Sequence, residues 1–152
     1  MIARLKRLFR AIDAPEPEPG DEIEQAAAAL LAIAALGDDD LAAEERAAIV
    51  RLLGERFHLA PEAAAALAAA AEREARAATQ LVRFTRVIKD RYSMPERIAL
   101  IEMIWEVVLA DGVLSAYEDS LLRRIAGLLY VSDRDRGAAR RRALARSKAS
   151  GG

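Results

Sequence analysis

Residues 99–129 read ALIEMIWEVVLADGVLSAYEDSLLRRIAGLL, two helices joined by a tight turn. Before the turn, Ile98, Ile101, Ile104, Trp105, Val107, Val108 and Leu109 spread apolar surface around most of a helix from Pro95 to about Ala110. Only Glu102 and Glu106, one turn apart, mark a polar edge, so this helix belongs in the middle of a bundle. After the turn, Leu121, Leu122, Ile125, Leu128 and Leu129 recur at helical spacing over about 115–129, with Arg123 and Arg124 outward. In between, Gly112 suits a left-handed helix end, and Ser115 with Glu118 has the spacing of a capping box.

Working outward, upstream helices follow from the same signals. Ser93 caps the central helix, with Glu96 in capping-box position after the break at Tyr92-Ser93-Met94-Pro95. Residues 77–91 are helical with Leu81, Phe84, Val87 and Ile88 apolar and a bend near Thr79. Pro61 opens an alanine-rich helix. A helix over about 41–57 turns Ile49, Leu52, Leu53 and Phe57 inward, and Asp21 caps one running to about Leu36. Downstream, Ser132 caps a last, arginine-rich helix from Asp133 to about Ala145.

The ends differ from the body. Residues 1–12 set Ile2, Leu5, Leu8, Phe9 and Ile12 against Arg4, Lys6, Arg7 and Arg10, a short basic amphipathic helix. Pro15, Pro17 and Pro19 make 13–20 an extended linker. Residues 147–152 read as a disordered tail. The expected fold is therefore all-α: a helical domain of about seven helices over 21–146, preceded by the amphipathic helix. The ends are basic, whereas residues 13–133 hold 12 basic and 23 acidic residues. The first helix is a candidate contact for an unknown protein partner or an anionic membrane surface. The basic residues Arg140, Arg141, Arg142, Arg146 and Lys148 read as a solvated tail in preference to a nucleic-acid or lipid contact.

Composition excludes several chemistries. Without cysteine there are no disulfides, thiolate nucleophiles or Cys-based metal sites. With His58 as the sole histidine, multi-histidine metal sites and serine or cysteine hydrolase triads are absent as well. His58 reads as structural or surface, and Trp105 and Tyr130 read as core. No run reaches the length of a membrane span. The expectation is a non-enzymatic cytoplasmic protein, peripheral to the inner membrane face if the first helix docks there.

A shift of 73 residues superposes the central helix pair on an earlier one without a gap. Asp38 meets Asp111, Leu41 meets Leu114, Glu45 meets Glu118, Gly54 meets Gly127 and Phe57 meets Tyr130. Two pseudo-repeated helical hairpins, related by a pseudo-two-fold axis, follow as an expectation.

The carboxylates at the two turns admit two readings. Capping accounts for Glu118, but it leaves Asp111 at the unfavourable negative end of a helix dipole. Alternatively, Asp111 and Glu118, with Asp38 and Glu45 at the first turn, supply all-oxygen ligands for a hard cation, Ca²⁺ or Mg²⁺. Asp39, Asp40, Glu102 and Glu106 are further candidates. Ala42 stands where Ser115 stands, so the first turn cannot form the full box yet keeps its glutamate.

Residues 99–129, above all the Ala110-Asp111-Gly112 turn with Glu118 seven residues after the aspartate, resemble the TerB-like tellurite-resistance family of bacteria. The resemblance extends over roughly 21–140. It implies an all-helical bundle with acidic turns, linked to tellurite and stress resistance, with no established catalytic activity. Asp111 and Glu118 match the family motif directly; Asp38 and Glu45 match only through the repeat, and Asp39 replaces the usual glycine.

Overall fold

The computed structural model describes residues 20–36, 41–77, 81–110, 112 and 115–151. Among them the chain forms seven α-helices and no strand. In order they are α1 (Glu22–Leu36), α2 (Ala43–Phe57), α3 (Pro61–Ala77), α4 (Leu81–Arg91), α5 (Met94–Val108), α6 (Ala116–Leu128) and α7 (Asp133–Gly151). The N-terminal helix, most of the linker, the bend near Thr79, and Asp38, Asp39, Asp40 and Asp111 lie outside the described residues.

The boundaries are set by local chemistry. Asp21 Oδ1 accepts the Glu24 N–H at 2.8 Å to start α1, and Ser132 Oγ accepts that of Asp135 at 3.1 Å to start α7. At α5 the Ser93 N–H donates to Glu96 Oε1 at 3.0 Å while Ser93 Oγ receives the Glu96 N–H. Hydrogen bonds from the Ser93 backbone and then its hydroxyl hold the Glu96 carboxyl below the usual range. The end of α5 tightens, with Ala110 N–H donating to Val107 O at 3.1 Å and Gly112 N–H to Leu109 O at 3.0 Å. Gly112 then takes φ 79°, the left-handed conformation its lack of Cβ makes inexpensive. The last helix overruns its expected end near Ala145 and continues to Gly151, so the stretch read as a tail is helical to that point. Residues 146–150 contain neither proline nor glycine to stop it.

Two helices share the centre. α5 buries Leu100, Ile101, Met103, Ile104, Trp105, Val107 and Val108, as its all-round apolar surface requires. α1 is the larger hub: it packs on α2, α3, α4, α5 and α6. Its alanines at 26–29, 32, 34 and 35 are buried with Leu30 and Leu31. Alanine leaves so little side chain on the helix surface that several neighbours pack around one axis. The remaining inward faces are Ile49, Leu52 and Leu53 on α2, Leu81, Phe84 and Ile88 on α4, and Leu122 and Ile125 on α6.

Arg97, in the first turn of α5, joins three helix ends. It donates to Lys89 O at 2.9 Å, Tyr92 O at 3.0 Å and Leu129 O at 3.3 Å. A cation at a helix N-terminus opposes that helix's dipole; here it is offset by the carbonyl ends of α4 and α6. Tyr130 departs from expectation. It is 67% exposed, not core, because the chain leaves α6 there with φ 58°. The left-handed residue after α2 is His58, at φ 54°. The 73-residue register pairs Phe57 with Tyr130, so the two left-handed residues fall one position out of register. The duplication remains an expectation from sequence.

Candidate functional site

Glu45 and Glu118 occupy the same place in their helices, the third residue after the N-cap. Glu118 Oε1 accepts the Ser115 N–H at 3.1 Å, and Ser115 Oγ accepts the Glu118 N–H at 3.1 Å, which completes the box. Glu45 Oε1 accepts the Ala42 N–H at 3.0 Å. Ala42 carries no side-chain oxygen to return the bond. Capping therefore explains part of Glu45 as well as Glu118.

Their burial separates them. Glu45 is 4% exposed, the one buried acid among the described residues, while Glu118 is half-buried. Burying a carboxylate is costly unless charge or hydrogen bonds compensate it. Glu45 sits at the positive end of the α2 dipole, five residues after Asp40, the last of the Asp38-Asp39-Asp40 run in the chain. Such a group can hold one oxygen on the backbone and direct the other toward a charged neighbour.

Glu102 and Glu106 face a different set of groups. Arg142 Nε donates to Glu102, and Arg146 donates to Glu106 through Nε and to Glu102 through a terminal nitrogen. Arg51 lies 3.9 Å from the other Glu106 oxygen. Burial pushes the Arg146 pKa down, but the hydrogen bonds it donates to Glu106 and Glu102, together with their negative charges, outweigh it and the net shift is upward. Pairing of 102 with 142 and 106 with 146 sets α5 and α7 running in the same direction. Arg140 stacks over the Trp105 ring at 5.3 Å. The structure thus directs this acidic edge to the last helix. The sequence carried a signal of that contact: an acidic i,i+4 pair and a basic i,i+4 pair of equal spacing, 40 residues apart.

Among the described residues, no three His, Cys, Asp or Glu side chains gather where a metal could sit. His58 is exposed at its left-handed position and belongs to the α2 cap through its backbone, donating to Gly54 O. A cavity of about 70 Å³ between α1, α3 and α4 is lined by Gln25, Leu67, Ala71, Glu74, Arg83 and Phe84. It is well below the few hundred Å³ of ordinary cofactor sites. Near it in the chain, burial first and Asp21 second push the Glu24 carboxyl upward, and among the described residues its buried Oε2 has no hydrogen-bond partner. No helix among the described residues is long and apolar enough to cross a membrane.

No curated protein and no solved structure matches the chain. Residues 24–141, more than three quarters of the sequence, match the family described as tellurite resistance protein TerB. The matched span starts inside α1 and ends inside α7, so it takes in α2 to α6 whole and both acidic turns. The chain belongs to the TerB family of tellurite resistance proteins.

Proposed function

We propose that this TerB protein serves tellurite and stress resistance without catalysing a reaction, by holding a divalent cation, calcium or magnesium, at its acidic helix–helix turns. The observation that carries the reading is Glu45. A carboxylate only 4% exposed, on a turn whose sequence supplies Asp38, Asp39 and Asp40, concentrates negative charge where a hard cation would neutralise it. At the second turn Asp111 and Glu118 are the corresponding ligands, with Glu118 Oε1 also accepting the Ser115 N–H of the cap.

Titration of the full chain with Ca²⁺ or Mg²⁺, followed by melting temperature and backbone NMR shifts, tests it. Ligand bound to the native state at a hundred times its Kd stabilises by about 2.7 kcal/mol, a readily measured rise in Tm. Asp111→Asn and Glu45→Gln abolish that rise. Absence of any ion response in the parent, together with an unchanged or raised Tm in Asp111→Asn, sinks the cation reading.

A second reading is favoured by the way the described acids are used. Glu118 is engaged in its own cap, and Glu102 and Glu106 are engaged by Arg142 and Arg146. The domain would then be a cation-independent interaction module that uses its basic termini to recruit a protein partner or an anionic membrane surface.

A further inference from the structure

We propose that α7 presents a dedicated cationic face, Arg134, Arg141 and Lys148, that docks the protein on an anionic lipid surface. The inference deepens the second reading above and is independent of the cation reading. It rests on how α7 divides its basic residues. The helix buries Ala139 and Ala143 completely. Arg142 and Arg146 flank that buried side and are engaged by Glu102 and Glu106, Arg136 is engaged by Asp133 at 2.9 Å, and Arg140 lies over Trp105.

The other three basic residues repeat every seven positions. At 3.6 residues per turn, seven-residue steps drift by only about 20°, so Arg134, Arg141 and Lys148 stand in one row. That row faces away from Ala139 and Ala143, and all three residues are exposed. None of the three has a carboxylate partner among the described residues.

The shape of the row favours a flat polyanion. Successive cations are about 10.5 Å apart along a straight axis, so all three reach one plane together. Ala138 and Ala145 lie between them, and small side chains let the helix lie close to a surface. The face has no aromatic residue on which a single-stranded base could stack. The phosphates of a duplex curve away from a straight row. With no large apolar residue to insert, contact is purely electrostatic and therefore salt-sensitive.

Co-sedimentation of the full chain with phosphatidylserine–phosphatidylcholine vesicles, at low and physiological salt, tests the proposal against phosphatidylcholine alone. The parent binds only the anionic vesicles, and binding weakens as salt rises. Each removed cation costs about fivefold, so Arg134→Gln, Arg141→Gln and Lys148→Gln combined lower affinity about a hundredfold with unchanged helical circular dichroism. The charge-preserving pair Arg134→Lys and Arg141→Lys retains binding. Parental binding by the triple variant overturns the proposal. If Arg4, Lys6, Arg7 and Arg10 changed to Gln then abolish vesicle binding, the terminal reading survives and α7 is excluded. A parent that ignores anionic vesicles but retards a duplex DNA probe also overturns it. A parent that binds neither overturns this proposal and the membrane arm of the second reading together.

Discussion

The turn before α2 and the turn before α6 place a glutamate at the same helical position, yet the two carboxylates are in different environments. At α6, Ser115 and Glu118 satisfy each other's backbone amides at the protein surface. At α2, Glu45 accepts the Ala42 N–H with no hydroxyl at residue 42 to return the bond, and does so inside the protein. One hydroxyl accounts for the difference in capping. Burial accounts for the difference in consequence: a surface carboxylate exchanges water for an amide at little cost, whereas a buried one depends on whatever surrounds it.

The sharpest way to break that comparison is to remove both glutamates in turn. Glu45→Ala costs about 2–3 kcal/mol by denaturant unfolding, because it removes a charged hydrogen bond and leaves space in a packed region. Glu118→Ala costs about 1 kcal/mol, the value of a surface cap. Equal losses would mean that burial adds nothing at the first turn.

Exchanging the caps sharpens the comparison at a smaller scale. Ser115→Ala costs about 1 kcal/mol. Ala42→Ser, at an N-cap already in the extended conformation (φ −68°, ψ 154°), completes the first box and stabilises by up to about 1 kcal/mol. If Ala42→Ser destabilises, the space around Glu45 is too tight for a hydroxyl and the two turns differ in packing as well as chemistry.

Gly112 belongs to the second turn only in its left-handed form. Gly112→Ala meets no atom within 4 Å, so its whole effect is conformational, a loss of about 1 kcal/mol in thermal unfolding. No loss would show that the turn relaxes to another conformation without cost.

The smallest effect concerns the third box, Ser93 with Glu96, a reference for a complete surface cap. Its carboxyl pKa is lowered in the folded state, so its contribution is present above the unfolded carboxylate value and disappears as pH falls through the folded value. Stability of the parent relative to Glu96→Gln should follow that course between neutral pH and pH 3. A difference that persists into acid would assign the effect to packing.

Much of this molecule was readable from local chemistry. Capping boxes at Ser93 and Ser115, the left-handed Gly112 and the inward faces of α2, α4, α5 and α6 depend on residues within a few positions of one another. Period and spacing report such groups directly. The importance of α1 was harder to see. A run of alanines has weak amphipathic contrast, and its value lies in how closely other helices approach it. Tyr130 was misread because an aromatic after an apolar helix fits either the core or an exposed left-handed cap.

By itself, the sequence determined the all-helical class, the caps, the helix boundaries within a few residues except at the end of α7, and a resemblance to the TerB family. Tertiary structure alone decided which charges meet. It buried Glu45 and left Glu118 near the surface, brought Arg142 and Arg146 from 40 residues away to Glu102 and Glu106, and set Arg97 on the ends of two other helices. It also left Arg134, Arg141 and Lys148 facing outward. Helix signals act over one or two turns, whereas the partner of a charge is set by packing between segments that local spacing cannot relate.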